Sequence, residues 1–539
     1  MASSDQYATF LTSARQWAAH RFVRHPDRYA EIYAIARKYR LDQVAADLST
    51  YQAQDDDTPH PIDPRDRRPA NLAAALEELG PCFIKLGQLM STRPDVLPPA
   101  YIDALSRLQD EIAPAPSDRV VEIVERELGA PITELFASFE YEPLATASMA
   151  QVHRATLKDG TAVAVKVQRP DTHREIETDI EILHDVTSLA TKYTPFGARY
   201  NLPDMVHELE SSLDQEMDFR LEADNTRVIG QHLAEFPRLT TPKVYASHTA
   251  RRVLTLEFVR GRHLTALSPA EIQALDAGNL AKDLLSAYLK QIIVDGIFHC
   301  DPHPGNILIT DDRRLALLDF GMVGRFDAGE KDNIILLLLA FSERDGERVA
   351  STYLDLIEIP DHFNRRAFTQ DVAALVSRYY DMSGSQMSIG TALLDLTKLA
   401  YSNHVPVPSV LTLLGKAMLN LDGTLQTLSP DLDPIELIRE YMVEVMRRRV
   451  MAQFSPGRMS EWVIDMKHLI EHAPRRTETI LTKLADDQLT VRLEGKRLEE
   501  ALQDMNRAAN RVSLGMIASA VIIAGGYIIG SRMRGSESR

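Results

Sequence analysis

The residues that invite chemistry lie in HCDPHPGNIL, 299–308, and LLDFG, 317–321. Asp301 precedes Asn306 by five positions, and Asp319 follows after another thirteen. One carboxylate in such a set orients or deprotonates an attacking hydroxyl. The side chains of Asn306 and Asp319 offer hard oxygen donors suited to Mg²⁺ held against phosphates, whose charge must be neutralised. Gly321 gives the backbone freedom to turn after Asp319, so that the carboxylate faces the metal. Two other readings fit parts of the pattern. His299 and His303 beside Asp301 suggest zinc, yet no Cys or His cluster completes a tetrahedral set. A plain turn accounts for Pro304 and Gly305 and leaves Asp319 at its matched distance unexplained.

His-x-Asp, four residues, Asn, a strand pair and Asp-Phe-Gly is the grammar of a kinase catalytic loop. Such a site also needs a lysine on a strand. VAVKV, 163–167, supplies Lys166 within an alternating pattern that predicts a small sheet. The lysine needs an acidic partner from a helix. QEMDFRLEADN, 215–225, offers Glu216, Asp218 and Glu222; Glu222 is the first choice and the other two stay open. Where a Gly-rich loop would cover the phosphates of ATP, the chain has LATASMAQVHRA, 144–155. Ala147, Ser148 and Ala150, with Met149 between them, allow close approach to phosphate but lack the φ freedom of glycine, which predicts a stiffer loop. LEFVRG, 256–261, ends a strand at the position of an interlobe hinge, where backbone groups of Glu257 and Val259 would meet adenine. Cys300 stands where protein kinases carry arginine. Helical sequence resumes about ten residues after Asp-Phe-Gly and no Ala-Pro-Glu follows. That leaves no room for a long peptide-docking segment and argues against a conventional protein kinase.

Positioning these residues takes a large core, which 539 residues provide. The formal net charge of −17, without a basic block, argues against nucleic-acid binding. Two cysteines, Cys82 and Cys300, argue against a disulfide framework and fit a reducing compartment. The first twenty residues lack a continuous apolar run, so no signal peptide is expected. Residues 512–530, VSLGMIASAVIIAGGYIIG, carry no charge. As a helix they would span about 28 Å, close to a bilayer's hydrocarbon core. They are expected to anchor the chain in a membrane, with the body in the cytosol. Gly526 and Gly530 form a small-xxx-small pair that would seat a partner helix, one route to a homodimer.

The motifs together resemble the UbiB/ADCK family of atypical kinase-like proteins, which support ubiquinone biosynthesis. The residues that carry the resemblance are FIKLGQLMSTRPDVLP (83–98), ATASMAQVH (145–153), VAVKVQRP (163–170), QEMDFRLEADN (215–225), HCDPHPGNIL (299–308) and LLDFGMVG (317–324). The match runs from about residue 70 to 330. It implies an α+β, bilobal, protein kinase-like fold with an N-terminal helical extension, here joined to a C-terminal transmembrane helix. Expected segments are 1–69, N-terminal helices and linker; 70–130, the extension; 131–260, the N-lobe; 261–445, a helical C-lobe; 446–511, further helices; and 512–530, the anchor.

By that resemblance Lys85, Gly87 and Gln88 belong to a signature on the extension, and Glu216 and Asp218 to an acidic signature that meets it. Lys85, Gln88, Glu216, Asp218 and Glu222 are then regulatory. Lys166 and Asp301 are catalytic, and Asn306 and Asp319 bind metal. ATP and Mg²⁺ are the implied cofactors. A membrane lipid or isoprenoid quinone precursor is the implied partner, quinone-biosynthesis enzymes are possible partners, and a bacterial inner membrane is the implied location. A small-molecule phosphotransferase of the aminoglycoside or choline kinase kind shares the loop grammar but not residues 83–98 or the apolar tail. A nucleotide-binding pseudokinase scaffold would not need Lys166, Asp301, Asn306 and Asp319 all retained.

Overall fold

The computed structural model describes residues 24–44, 66–91, 97–108, 113–193, 202–359, 363–381, 388–403 and 405–453. Proline and glycine set its first helix boundaries. Helices α1 (Pro26–Lys38), α2 (Arg68–Leu79), α3 (Pro81–Met90) and α4 (Pro99–Leu105) each carry proline in the first turn, where a missing N–H loses no intrahelical bond. Gly80, at φ +100°, breaks the chain between α2 and α3, a conformation that side-chain-bearing residues rarely adopt. The linker expected at 55–69 lies outside the described residues up to 65, and α2 begins inside its last residues.

After α5 (Ser117–Leu128) and the single turn α6 (Ile132–Leu135), the chain builds a five-stranded antiparallel sheet. Its strands are β1 (Phe136–Phe139), β2 (Ala145–Thr146), β3 (Ala150–Leu157), β4 (Ala162–Gln168) and, later, β6 (Val253–Glu257), in the order β1-β3-β4-β6 with β2 on β3. Period-two alternation buries Val163, Val165 and Val167 completely in a cluster that also holds Val120, Ile123 and Val124 of α5. Lys166 is thereby turned to the opposite face.

Helices α7 (Thr172–Tyr193), α8 (Leu202–Glu216) and α9 (Phe219–His232) follow β4. QEMDFRLEADN is not one helix. It breaks at Met217 and Asp218, and the Asp218 carboxylate caps α9 by accepting the Arg220 N–H. In α9 the buried residues Phe219, Glu222, Ala223, Thr226 and Ile229 follow the i, i+3, i+4, i+7 stripe of an amphipathic helix. A separate core joins α1 to α4 with α7, α8 and Met149 of the β2–β3 turn.

The second half is mostly helical. The short β5 (Leu239–Thr240) and β7 (Gly261–His263) sit at the edges of a small sheet. Helices α10 (Pro269–Gln273) and α11 (Ala277–Lys290) come next, and α11 runs into a π-turn, Gln291–Asp295, that ends at Gly296. Strands β8 (Ile297–His299), β9 (Ile307–Thr310), β10 (Leu315–Leu317) and β11 (Val323–Arg325) frame the motif residues. The order β5-β10-β9-β7 makes one sheet and β11-β8 another.

Helix α12 (Ala328–Ser342) begins on a capping box, Asp327 with Glu330, seven residues after Gly321. Its 333–341 run is the core helix its composition predicts, with Ile334, Ile335, Leu337, Leu338 and Ala340 buried. Helices α13 (Gly346–Leu354), α14 (Arg365–Asp381), α15 (Ile389–Ser402), α16 (Ser409–Leu428) and α17 (Pro434–Gln453) complete the described chain. α15 and α16 pack almost backbone to backbone. A Cβ at Gly390 would lie 2.1 Å from the Leu419 nitrogen, so no larger residue fits without displacement. The described residues up to Met446 form one compact unit. No helix among the described residues is long and apolar enough to cross a membrane. The segment expected to do so, 512–530, lies outside the described residues.

Candidate active site

Strand register brings the three motif oxygens to one end of the second half. β8 delivers the chain to Asp301, and β11 returns antiparallel to it, with Val323 opposite His299. Cys300 donates its backbone N–H to the Met322 carbonyl at 3.0 Å. Between them β9 and β10 form a hairpin in which Leu317 faces Ile307, and the Leu318 N–H reaches the Asn306 carbonyl at 2.9 Å. The twelve residues between Asn306 and Asp319 thus hold one hairpin, whose closure returns the chain before Asp319 to Asn306, itself bonded to the Asp301 carbonyl.

Asp319 carries a feature that the sequence reading assigned elsewhere. The left-handed residue is Asp319 itself, at φ +52°. Aspartate tolerates this conformation better than most residues. Gly321 serves by size instead: a Cβ there would lie 3.2 Å from Asp319 Oδ1, which accepts the Gly321 N–H at 3.1 Å.

Lys166 meets Glu222 with both carboxylate oxygens at 2.9 Å and stands 3.8 Å from Asp319 Oδ2. It also lies 5.4 Å from the Phe219 ring centre, a cation–π contact. Burial by itself would lower the ammonium, but Asp319 and Glu222 outweigh it and leave Lys166 raised and charged. Burial pushes Glu222 up to about 7, against the pull of Lys166. Of the pair, Glu222 is therefore the member that most readily regains a proton. Lys166, helped by the Gly321 N–H, holds the Asp319 carboxyl below its usual range, so it is ionised at neutral pH.

Lys85, on α3, is buried and forms an ion pair with Glu216 at the end of α8. Its ammonium also approaches Met322 Sδ at 4.0 Å, next to Asp-Phe-Gly. Its charge reaches Asp319, and the Glu216 charge reaches Lys166 and Glu222. Five ionisable side chains thus share one electrostatic environment. Asp218 is placed elsewhere: it holds Arg220 through two bonds, at 2.8 and 2.6 Å, beside its capping role. Gln88 is half-buried and makes no side-chain hydrogen bond among the described residues.

The Ala-rich loop is the turn between β2 and β3. Ala147 N–H bonds the Ala150 carbonyl at 2.8 Å, and Ser148, Met149 and Ala150 are buried. Met149 packs into the core of the extension helices, so this loop is held from above. At the end of β6 the Phe258 N–H is used by the Ala162 carbonyl, while the Val259 N–H has no partner among the described residues. The Glu257 N–H bonds the Lys243 carbonyl.

Helix α16, whose sequence carries no kinase motif, supports the loop directly. Asn420 Nδ2 donates to Asp301 Oδ1 at 2.8 Å, and Thr424 Oγ1 donates to the Pro302 carbonyl at 2.8 Å. Lys416, Asn420 and Thr424 recur every four residues in a largely apolar helix that also carries Asp422. That spacing marks one helix face and was the available signal. Behind the loop, Gln291 of the π-turn accepts the His299 N–H at 3.1 Å. Cys300 is buried and its thiol is pushed up to about 12, which makes it inert packing.

The donor set fits Mg²⁺. Asn306 gives its Nδ2 to the Asp301 carbonyl at 3.3 Å, leaving Oδ1 without a partner among the described residues. With ionised Asp319 it offers hard oxygens and no sulfur or imidazole.

A sheet-bearing half with a Lys–Glu pair, joined to a helical half with an Asp…Asn…Asp-Phe-Gly hairpin, defines the class of kinase-like proteins. Comparison with known proteins narrows it. The ABC1 atypical kinase-like domain matches residues 107–353 and the UbiB helical domain matches 372–433. The chain belongs to the ABC1/UbiB atypical kinase-like family. It is 30% identical to the probable protein kinase UbiB of Marinobacter nauticus over 87% of this chain and 86% of that protein. An uncharacterized protein of Synechocystis is 37% identical over 67% of this chain and 91% of its own length. Among solved structures, an Rv3197–erythromycin complex from Mycobacterium tuberculosis is 24% identical, covers 71% of this chain and 97% of its own, and gives a TM-score of 0.40.

Proposed function

We propose that this chain binds Mg²⁺-ATP between its two halves and acts as an atypical kinase or ATPase that supports isoprenoid quinone biosynthesis at a membrane. The observation that carries this reading is the arrangement of Lys166, Glu222 and Asp319 beside the Asp301–Asn306 loop. Lys166, held in place by Glu222, is positioned to bind phosphate. Asn306 Oδ1 and Asp319 would hold the metal. When bound, Mg²⁺ supplies neutralisation of the phosphate charge. Asp301 has Oδ1 fixed by Asn420, and Oδ2, with His303 Nε2 3.8 Å away, is the oxygen that would orient a nucleophilic hydroxyl or water. Helix α3 and the held Ala-rich loop cover this region, which favours a small or lipophilic acceptor over a peptide. The apolar run at 512–530 supports membrane anchoring, with an isoprenoid quinone precursor and neighbouring biosynthetic enzymes as partners.

Calorimetry with Mg²⁺-ATP tests the binding step. Quinone profiling of a deletion strain rescued with wild type or with Asp319→Asn tests the role. Restoration by wild type and failure of the variant is the expected result. Rescue by a variant that has lost all ATP turnover would instead favour a scaffold.

A further inference from the structure

Away from the candidate active site, three side chains on two helices converge as metal ligands do. His184 of α7 and His207 and Glu210 of α8 bring one ligand atom each to within 4.8 Å of one another. His184 Nε2 lies 3.2 Å and His207 Nδ1 3.4 Å from the same oxygen, Glu210 Oε2. A tetrahedral zinc site with bonds of about 2.05 Å has edges of about 3.3 Å, so two edges already have the required length. The two imidazole rings stand 4.8 Å apart at 56°, and a tetrahedral site requires the exposed His207 ring to turn until the third edge closes. His207 and Glu210 are three residues apart on one helix face, a spacing that presents two ligands to one ion. Two imidazoles and a carboxylate suit a borderline ion such as Zn²⁺ and leave a coordination position for water.

The geometry points to a Zn²⁺-class divalent site formed by His184, His207 and Glu210 that staples α7 to α8. Six residues beyond Glu210, about 9 Å along the helix, α8 ends at Glu216, the partner of Lys85. A bound ion would therefore fix the helix that presents Glu216 to the extension. The bland alternative is a pair of solvated histidine–glutamate contacts, and the experiment separates the two.

Tag-free full-length protein is equilibrated with Zn²⁺ alone, and metal per chain is measured with melting temperature; Co²⁺ absorption reports the ligand geometry. One ion per wild-type chain, a melting temperature raised by several degrees and a tetrahedral Co²⁺ spectrum are expected. His207→Gln, at an exposed position, and Glu210→Gln, at a half-buried one, should each weaken uptake by at least the roughly 100-fold that loss of a supporting residue can cost, while Asp319→Asn should retain it. Absence of stoichiometric uptake by wild type overturns the assignment. So does uptake that survives the two substitutions or is lost in Asp319→Asn.

Discussion

Lys166 and Lys85 each reach a glutamate in the neighbourhood of Asp319, under different conditions. Lys166 meets Glu222 through both oxygens, with 7% of the glutamate side chain exposed. Lys85 meets Glu216, which is 34% exposed. The first pair joins a central strand to the buried stripe of α9, and neither element can move without opening a core. The second joins the extension to the last turn of α8, with water at one side. The lysines do not differ in that direction, with Lys85 10% exposed against 21% for Lys166; the difference lies in the glutamates, since a carboxylate that reaches water depends less on its partner than one taken from it. On that difference we read the inner pair as a fixture of the candidate site and the outer pair as a latch on the extension, a reading the following tests can break.

The strongest test of this contrast is at the carboxylate that both lysines sense. Asp319→Asn is expected to lower Mg²⁺-dependent ATP turnover by roughly 10³-fold, with folding intact by circular dichroism. Retained turnover would remove the inner site from the chemistry.

Lys166→Met leaves Glu222 buried without its cation and should cost about 3 kcal/mol of stability in alkaline solution, read by denaturant unfolding. Glu222 is already raised to about 7. Without Lys166, which holds it down, Glu222 is raised further still, and a raised carboxylate binds its proton more readily in the folded than in the unfolded state; the penalty is therefore full only above the variant's own, higher titration and shrinks as pH falls through it. In wild type the same titration predicts that turnover rises as pH passes upward through about 7 and the pair forms. A pH-independent cost in the variant would mean that Glu222 stays charged throughout.

Asn420→Leu should reduce kcat by about tenfold to a hundredfold through loss of Asp301 orientation, with Mg²⁺-ATP affinity unchanged by calorimetry. A change in affinity with constant kcat would make α16 a binding element.

Lys85→Gln should have the smallest effect. A stability loss of about 1 kcal/mol or less is expected, together with faster amide exchange in α3. If it cost as much as Lys166→Met, the outer pair would be a second fixture and the latch reading would fail.

Much of the site was legible because its parts are local. Asn306 and Asp319 flank one short hairpin and Asp301 lies five residues before Asn306, so spacing gathered them. Lys166 was betrayed by alternation, since a charged residue among Val163, Val165 and Val167 must face the other side of a strand. The break at Met217 and Asp218 was harder to see, because aspartate caps and interior aspartates look alike until the N–H they accept is known. The turn at Asp319 was credited to Gly321 because glycine usually takes positive φ, whereas here it makes room for a carboxylate.

The residue types and order determined the chemistry on offer, the strand that carries the lysine, and the hairpin that gathers the oxygens. Those follow from short-range geometry, where chain connectivity fixes who meets whom. Tertiary structure alone decided that Glu222 rather than Asp218 faces Lys166, that Glu216 meets Lys85, and that Asn420 braces Asp301 from 119 residues away. Such contacts depend on how whole helices pack, and packing is set by the summed fit of many side chains, which no single stretch of sequence records.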